Sequence, residues 1–212
     1  PVVFRHEKVK IEERLPAARR RIVERRLNEV FEGARDDLGI VVLGGLYNSL
    51  VRALAQFGLA DAFGASTLPI LVLNVVHPLV PEEIVSFCEG KRAVLVLEEG
   101  SPEFVEQEIL AILRRAGIAT EIEGKGPLPR AGEYSVEAIA RGLSAFLGRR
   151  APELPLAEGD AWLAGVAKRR DDVAKALEAP LPPRPPNFCI GCPERPGFAA
   201  MKLAKQAIGP VH

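Results

Sequence analysis

Three short, uninterrupted apolar runs constrain this chain more than anything else in it: Ile40-Val41-Val42-Leu43, Ile70-Leu71-Val72-Leu73 and Val94-Leu95-Val96-Leu97. A strand with one wet face alternates apolar with polar residues, whereas a strand that is apolar at every position needs cover on both faces. A fourth, weaker strand is expected near Ile118 to Ile122. Between the runs lie segments whose apolar residues fall on one helical face: Leu46, Leu50, Leu54 and Phe57; Pro81 to Cys88; Val105, Ile109, Ile112 and Leu113; and Val136, Ile139, Leu143 and Phe146. Ser101 and Pro102 read as a cap and first turn, Gly90 and Gly117 as residues just past helix ends, and Ser135 as the cap of the last helix. Strand and helix alternate four times, so residues 37–150 are expected to form an α/β domain. Its architecture should be a three-layer α/β/α sandwich with a mostly parallel sheet.

The flanks differ. Over residues 11–34, Leu15, Ile22, Val23, Leu27, Val30 and Phe31 keep close to a 3.6-residue stripe, which predicts an amphipathic helix ending near Gly33. Its arginines are interleaved with Glu12, Glu13, Glu24, Glu29 and Glu32, which favours a solvated or subunit-contacting face over a nucleic-acid patch. Residues 1–36 are thus a linker and amphipathic helix. Residues 151–187 carry Pro152, Pro155, Pro180, Pro182, Pro183, Pro185 and Pro186 around one or two short helices holding Trp162, Leu163, Val166, Val173 and Leu177, a proline-rich interdomain linker. Residues 188–212 would begin a further domain. Both termini are expected to be cut ends of something longer, since Met201 is the sole methionine and the last helical pattern runs straight into Gly209-Pro210.

Lysine plus arginine and aspartate plus glutamate both number 28, so no net field recruits nucleic acid or an anionic membrane. No apolar run approaches the roughly 20 residues that span a bilayer, and the amino end lacks a signal-peptide core. A soluble, cytoplasmic protein with small-molecule or protein partners is the expectation. Three cysteines, Cys88, Cys189 and Cys192, suit thiol or metal chemistry better than a disulfide framework.

Cys189 and Cys192 form a Cys-x-x-Cys pair with Gly191 permitting a tight turn, and can place two thiolates on one metal or cluster iron. A metal or cluster needs about four ligands. The chain offers no second such pair, so the rest would lie beyond His212; a structural turn and a redox dithiol remain the alternatives. Gly44-Gly45 follows the first buried strand and opens a helix, a place where backbone N–H groups can cradle phosphate, or merely a tight packing turn. Glu98-Glu99 lies at the carboxyl end of the third strand, where α/β sheets bind ligands and where acid or base carboxylates would sit. Alternatively, the two glutamates serve the dipole of the next helix. His77, before Pro78, is a lone loop histidine.

Taken together, two segments resemble a known family. Asn74-Val75-Val76-His77-Pro78-Leu79-Val80-Pro81-Glu82-Glu83-Ile84, followed by Val94 to Gly100, resembles the transketolase C-terminal domain signature. Pro185-Pro186-Asn187-Phe188-Cys189-Ile190-Gly191-Cys192-Pro193 resembles the segment that opens the diphosphate-binding domain in alpha subunits of indolepyruvate ferredoxin oxidoreductases, with Glu194-Arg195 where that family has His-Arg. The resemblance implies a thiamine-diphosphate-dependent 2-oxoacid oxidoreductase with magnesium and an iron-sulfur cluster, to which Cys189 and Cys192 would contribute. It also implies ferredoxin, coenzyme A and a beta subunit or fused equivalent as partners, in a homo- or hetero-oligomer. The family's Gly-Asp-Gly magnesium motif is not matched, since Gly159-Asp160 is followed by Ala161. The segment is therefore expected to be a structural, subunit-contact domain, inactive and without bound cofactor by itself. A thiamine enzyme without electron transfer, or a non-catalytic docking module, is the alternative.

Overall fold

The computed structural model describes residues 2–177, 192 and 194–209. The chain divides into two compact units, Pro1–Arg169 and Arg170–His212.

The three apolar runs are strands β2 (Leu38–Leu43), β3 (Ile70–Leu73) and β4 (Ala93–Leu97), and the weaker fourth is β5 (Glu121–Glu123). They pair in parallel, β3 and β4 on either side of β2 and β5 outside β4, which gives the expected mostly parallel sheet. Alternate residues of each strand serve opposite layers. Ile40, Val42, Leu95 and Leu97 join Leu50, Leu54 and Phe57 of the α3 side (helix Tyr47–Gln56) and Ile139, Leu143 and Phe146 of α6 (Val136–Arg150). Val41, Leu71, Leu73, Val94 and Val96 join Ile84 and Phe87 of α4 (Pro81–Cys88) with Val105, Ile109 and Leu113 of α5 (Phe104–Ala116). Two separate cores, one on each sheet face, explain why no position of the three inner strands β2, β3 and β4 is polar.

A fifth strand, β1 (Glu29–Phe31), was not expected. It pairs antiparallel with β3, Glu29 opposite Val72 and Phe31 opposite Ile70, and forms one edge of the sheet. The amino-terminal helix therefore stops earlier than its apolar stripe suggests. Helices α1 (Val2–Val9) and α2 (Leu15–Glu24) are joined by a π-helical turn over Lys10–Arg14. Pro16 has no N–H to donate to the carbonyl one turn back, and the helix widens just before it. The helix ends with Arg26 in the left-handed region (φ 48°), the Leu27 N–H donating to the Ile22 carbonyl and the Arg26 N–H to the Val23 carbonyl. No glycine marks this stop. Gly33 instead lets two backbones pass, since a Cβ there would lie 2.4 Å from the Leu68 carbonyl carbon.

Two further boundaries moved. Helix α5 starts at Phe104 rather than at the Ser101-Pro102 pair, its first amides being capped by Glu98. Among the described residues of the proline-flanked region there is one helix, α7 (Ala157–Ala176). Within the first unit its opening turns lie on the core: Leu163 is buried, Trp162 half-buried, and a Cβ at Gly159 would sit 2.0 Å from the Phe57 ring. The Ser144 hydroxyl donates to Asp160 at 2.6 Å, tying α7 to α6. In the second unit α8 (Arg195–Ile208) exposes Phe198, Met201, Leu203 and Ile208. No helix among the described residues is long and apolar enough to cross a membrane.

Candidate functional site

In an open α/β sheet the loops at the carboxyl ends of the strands carry ligand-binding groups, above all where strand order reverses about the central strand. Here the central strand is β2, and that edge collects Gly44-Gly45 after β2, Asn74 after β3, Glu98-Glu99 after β4 and Gly124-Lys125 after β5.

Beyond β4, Glu98 is buried at 6% exposure and its carboxylate accepts from the Val105 N–H at 3.0 Å and the Glu106 N–H at 3.0 Å. These are orphan donors of the first turn of α5, at the positive end of its dipole, so Glu98 caps a helix from outside the helix's own sequence. That explains why α5 needs no cap from Ser101. Both carboxylate oxygens are committed, which removes Glu98 as a free acid or base.

Lys125, 7% exposed, spans the same site. Its ammonium donates to the Glu98 carbonyl and, at 2.8 Å, to the Tyr134 hydroxyl, whose own proton goes to the Pro129 carbonyl at 2.7 Å. The ammonium lies 4.7 Å from the centre of the Tyr134 ring, a cation–π contact. Glu106 accepts from the Lys125 N–H at 3.1 Å and Glu99 from the Tyr134 N–H at 2.6 Å. Burial lowers the Lys125 ammonium pKa, opposed by the carboxylates of Glu98, Glu106, Glu103 and Glu99. Burial also pushes the Tyr134 phenol up to about 12, with Glu106, Glu99 and Glu98 adding to the rise. The group is a satisfied polar clasp that pins the loop between β5 and α6 over the end of β4.

On the β3 side, the Asn74 amide donates to the Leu27 carbonyl at 2.9 Å and to Glu29 at 3.0 Å, while Asn28 accepts from the Val75 N–H at 3.0 Å and donates to Glu83 at 2.8 Å. Gly44 packs under this loop: a Cβ there would be 2.5 Å from the Asn74 side-chain oxygen. Gly44 thus allows a close approach of the Asn74 side chain, whereas nothing lies within 4 Å of a Cβ built at Gly45. His77 is exposed.

Of the sequence candidates, Glu98 and Glu99 come together, joined by Lys125, Tyr134 and Glu106, which the sequence did not single out. Lys125 between two glycines and a single Tyr134 break no periodicity and match no motif. Cys88 is fully buried, and burial pushes its thiol up to about 12, which suits a core residue rather than a ligand. Cys192 is a free, half-buried thiol; Cys189 lies outside the described residues. Among the described residues no group of three or more His, Cys, Asp or Glu is placed to hold a metal ion.

A family model described as the indolepyruvate ferredoxin oxidoreductase middle domain matches residues 27–119. The indolepyruvate oxidoreductase subunit IorA of Methanothermobacter thermautotrophicus is 32% identical over 198 residues, 92% of this chain and 28% of that protein. The subunit of the same name from Archaeoglobus fulgidus is 32% identical over 185 residues, covering 86% of this chain and 26% of its own length. That of Pyrococcus abyssi is 29% identical over 174 residues, 82% and 24% respectively. The chain thus spans about a quarter of the length of these relatives. A solved chain described as a split gene transketolase, inactive beta4 tetramer, aligns with 60% of this chain and 42% of its own at 17% identity and a TM-score of 0.41.

Proposed function

We propose, from the match of residues 27–119 to the indolepyruvate ferredoxin oxidoreductase middle-domain model, that this chain is the scaffold segment of a thiamine-diphosphate-dependent 2-oxoacid:ferredoxin oxidoreductase subunit. The reaction would be the oxidative decarboxylation of an arylpyruvate such as indolepyruvate to its coenzyme A thioester, with two electrons passed through an iron-sulfur cluster to ferredoxin. The observation that carries this reading is the family match over the α/β body, and the names of the IorA relatives agree with it.

Among the described residues the Glu98, Glu99 and Glu106 carboxylates near the end of β4 accept backbone N–H groups. No step is therefore assigned to this edge. Its residues hold the loops that would face neighbouring domains and subunits, and the domain order 1–36, 37–150, 151–187 and 188–212 is part of this proposal. Cys192, and Cys189 with it, would supply two of the roughly four thiolates of a cluster; the chemistry fits, since an accessible thiol can serve as a ligand and the buried Cys88 cannot.

The test is an assay of the parent subunit with its partner: indolepyruvate and coenzyme A should reduce ferredoxin, and failure with every arylpyruvate tried would overturn the reading. The 212-residue chain alone should show no heat on titration with thiamine diphosphate and magnesium. Iron content of the parent should fall in Cys189→Ser and in Cys192→Ser; equal iron in wild type and both variants would end the cluster assignment.

A further inference from the structure

We propose that the outward side of α2 is a docking surface for a protein that presents a compact cluster of carboxylates. On a helix running to Gly33, Glu29 and Glu32 would stand among the arginines and neutralise them. The observed helix stops at Glu24, and both glutamates leave it: Glu29 lies on β1 and accepts from Asn74, and Glu32 lines a groove beside that strand. Residues 1–26 are left with nine lysines and arginines against four glutamates. Over the whole chain basic and acidic residues balance at 28 each, so this surplus of five positive charges is matched by five negative charges on the rest.

The surplus is confined to α2 and its end. Before Arg14 the charges cancel, Arg5, Lys8 and Lys10 against Glu7, Glu12 and Glu13, with Lys8 and Glu12 paired at 3.8 Å. From Arg14 to Arg26 six arginines meet only Glu24 in sequence. Two of the six are engaged: Arg19 donates to the Leu79 carbonyl at 2.9 Å, and Arg20 shares its surroundings with Glu24 and Glu82. The other four, Arg14, Arg21, Arg25 and Arg26, are exposed, and no carboxylate among the described residues lies within ion-pair distance of them. Arg14, Arg21 and Arg25 follow at spacings of 7 and 4 and so share one side of the helix. A helix dipole favours cations in the last turn alone, which gives no reason for Arg14. Arginine's planar fork takes a carboxylate by both oxygens at once.

The extent of the patch selects a protein over a nucleic acid. Arg14 and Arg25 stand 11 positions apart, roughly 17 Å along a helix. A duplex brings a charge about every 1.7 Å and continues past both ends of so short a patch, toward a chain whose remainder is net negative. No aromatic residue lies between Arg14 and Arg26 to stack a base. A protein can confine its carboxylates to the patch. Val23 and Leu27, 50% and 39% exposed on the same segment, add the apolar contact found at the centre of protein interfaces.

Fluorescence anisotropy of a labelled octaglutamate peptide, titrated with the 212-residue chain, tests this. Binding that weakens with added salt is expected. Arg21→Gln together with Arg25→Gln should weaken it by about fivefold or more. Arg114→Gln together with Arg115→Gln, an equal change of net charge at the end of α5, should leave it within about twofold. Arg21→Lys together with Arg25→Lys keeps the charge and should bind better than the glutamine pair. All four sites are exposed and both replacements are good helix formers, so circular dichroism should match the wild type. A long oligodeoxythymidylate should bind more weakly than the peptide at the same salt. A peptide that does not bind, equal losses in the two glutamine pairs, a lysine pair no better than its glutamine counterpart, or tighter binding of the oligonucleotide would each overturn the proposal.

Discussion

The Lys125 ammonium and the Tyr134 hydroxyl stand 2.8 Å apart inside the protein, and the hydroxyl donates a hydrogen bond to the Pro129 carbonyl. Tyr134→Phe would leave a buried ammonium and a carbonyl short of a partner and should cost about 1–3 kcal/mol in urea unfolding. Lys125→Met, which removes the charge itself, should cost less than Tyr134→Phe, because a buried ion replaced by an apolar group of similar volume is often neutral. The reverse ranking would show that the ammonium, not the loop closure, holds the site.

The same pair sets an alkaline signature. With its folded pKa below the ordinary 10.5, Lys125 is protonated more readily in the unfolded chain, so its contribution to stability rises with pH through that window. Tyr134 acts oppositely: with a folded pKa of about 12 against 10.0 unfolded, it loses stability as pH climbs from about 10 to 12. Lys125→Met should therefore show only the alkaline fall, and a wild-type profile indistinguishable from it would refute the assignment.

Removing the Glu98 cap should loosen α5. Glu98→Ala strips two amides of their acceptor and should cost about 1–2 kcal/mol, with early hydrogen exchange at Val105 and Glu106. Exchange unchanged at those two amides would mean that the helix start is held by something else.

At the opposite edge Asp37 accepts from Arg35 and, at 2.8 Å, from Arg92, and these guanidinium groups hold its carboxyl down to about 2. A depressed carboxyl stabilises above its unfolded pKa of 3.8 and loses that stabilisation as pH falls through about 2. Asp37→Asn should be less stable at neutral pH and should flatten the acid limb. Partial exposure makes the effect modest and weaker in salt.

Gly159→Ala drives a methyl into the Phe57 ring and should destabilise by about 1–3 kcal/mol. The single tryptophan, Trp162, reports on it: its emission should shift to the red as α7 lifts. An unshifted spectrum with unchanged Tm would mean that the helix is held elsewhere.

The sheet and its two helical layers were legible because doubly covered strands must be apolar throughout, and Ile40 to Leu43 could serve no other fold as well. The edge strand was not, because Val30 and Phe31 satisfy a helical stripe and a strand equally, and the stop at Arg26 uses a left-handed residue that is not glycine. The clasp was half legible. Glu98-Glu99 was marked by its position after β4, but choosing helix cap over acid–base pair required knowing that Val105 and Glu106 point their amides at it. Lys125 looked like a loop lysine, since its bond to the Glu98 carbonyl, far back in the chain, leaves no trace in local sequence.

The pairing of β1 with β3 also fixes an order of assembly. Glu29 meets Val72 at a separation of 72 − 29 = 43 positions, and the side-chain ties that flank this strand, from Asn28 to Val75 and Glu83 and from Asn74 to Leu27, likewise join the amino-terminal segment to residues 70–83. On a ribosome the first thirty or so residues emerge before these partners exist. They cannot pair until residues 70–83 have been made, so a synthesis paused before Leu73 should leave them open to protease.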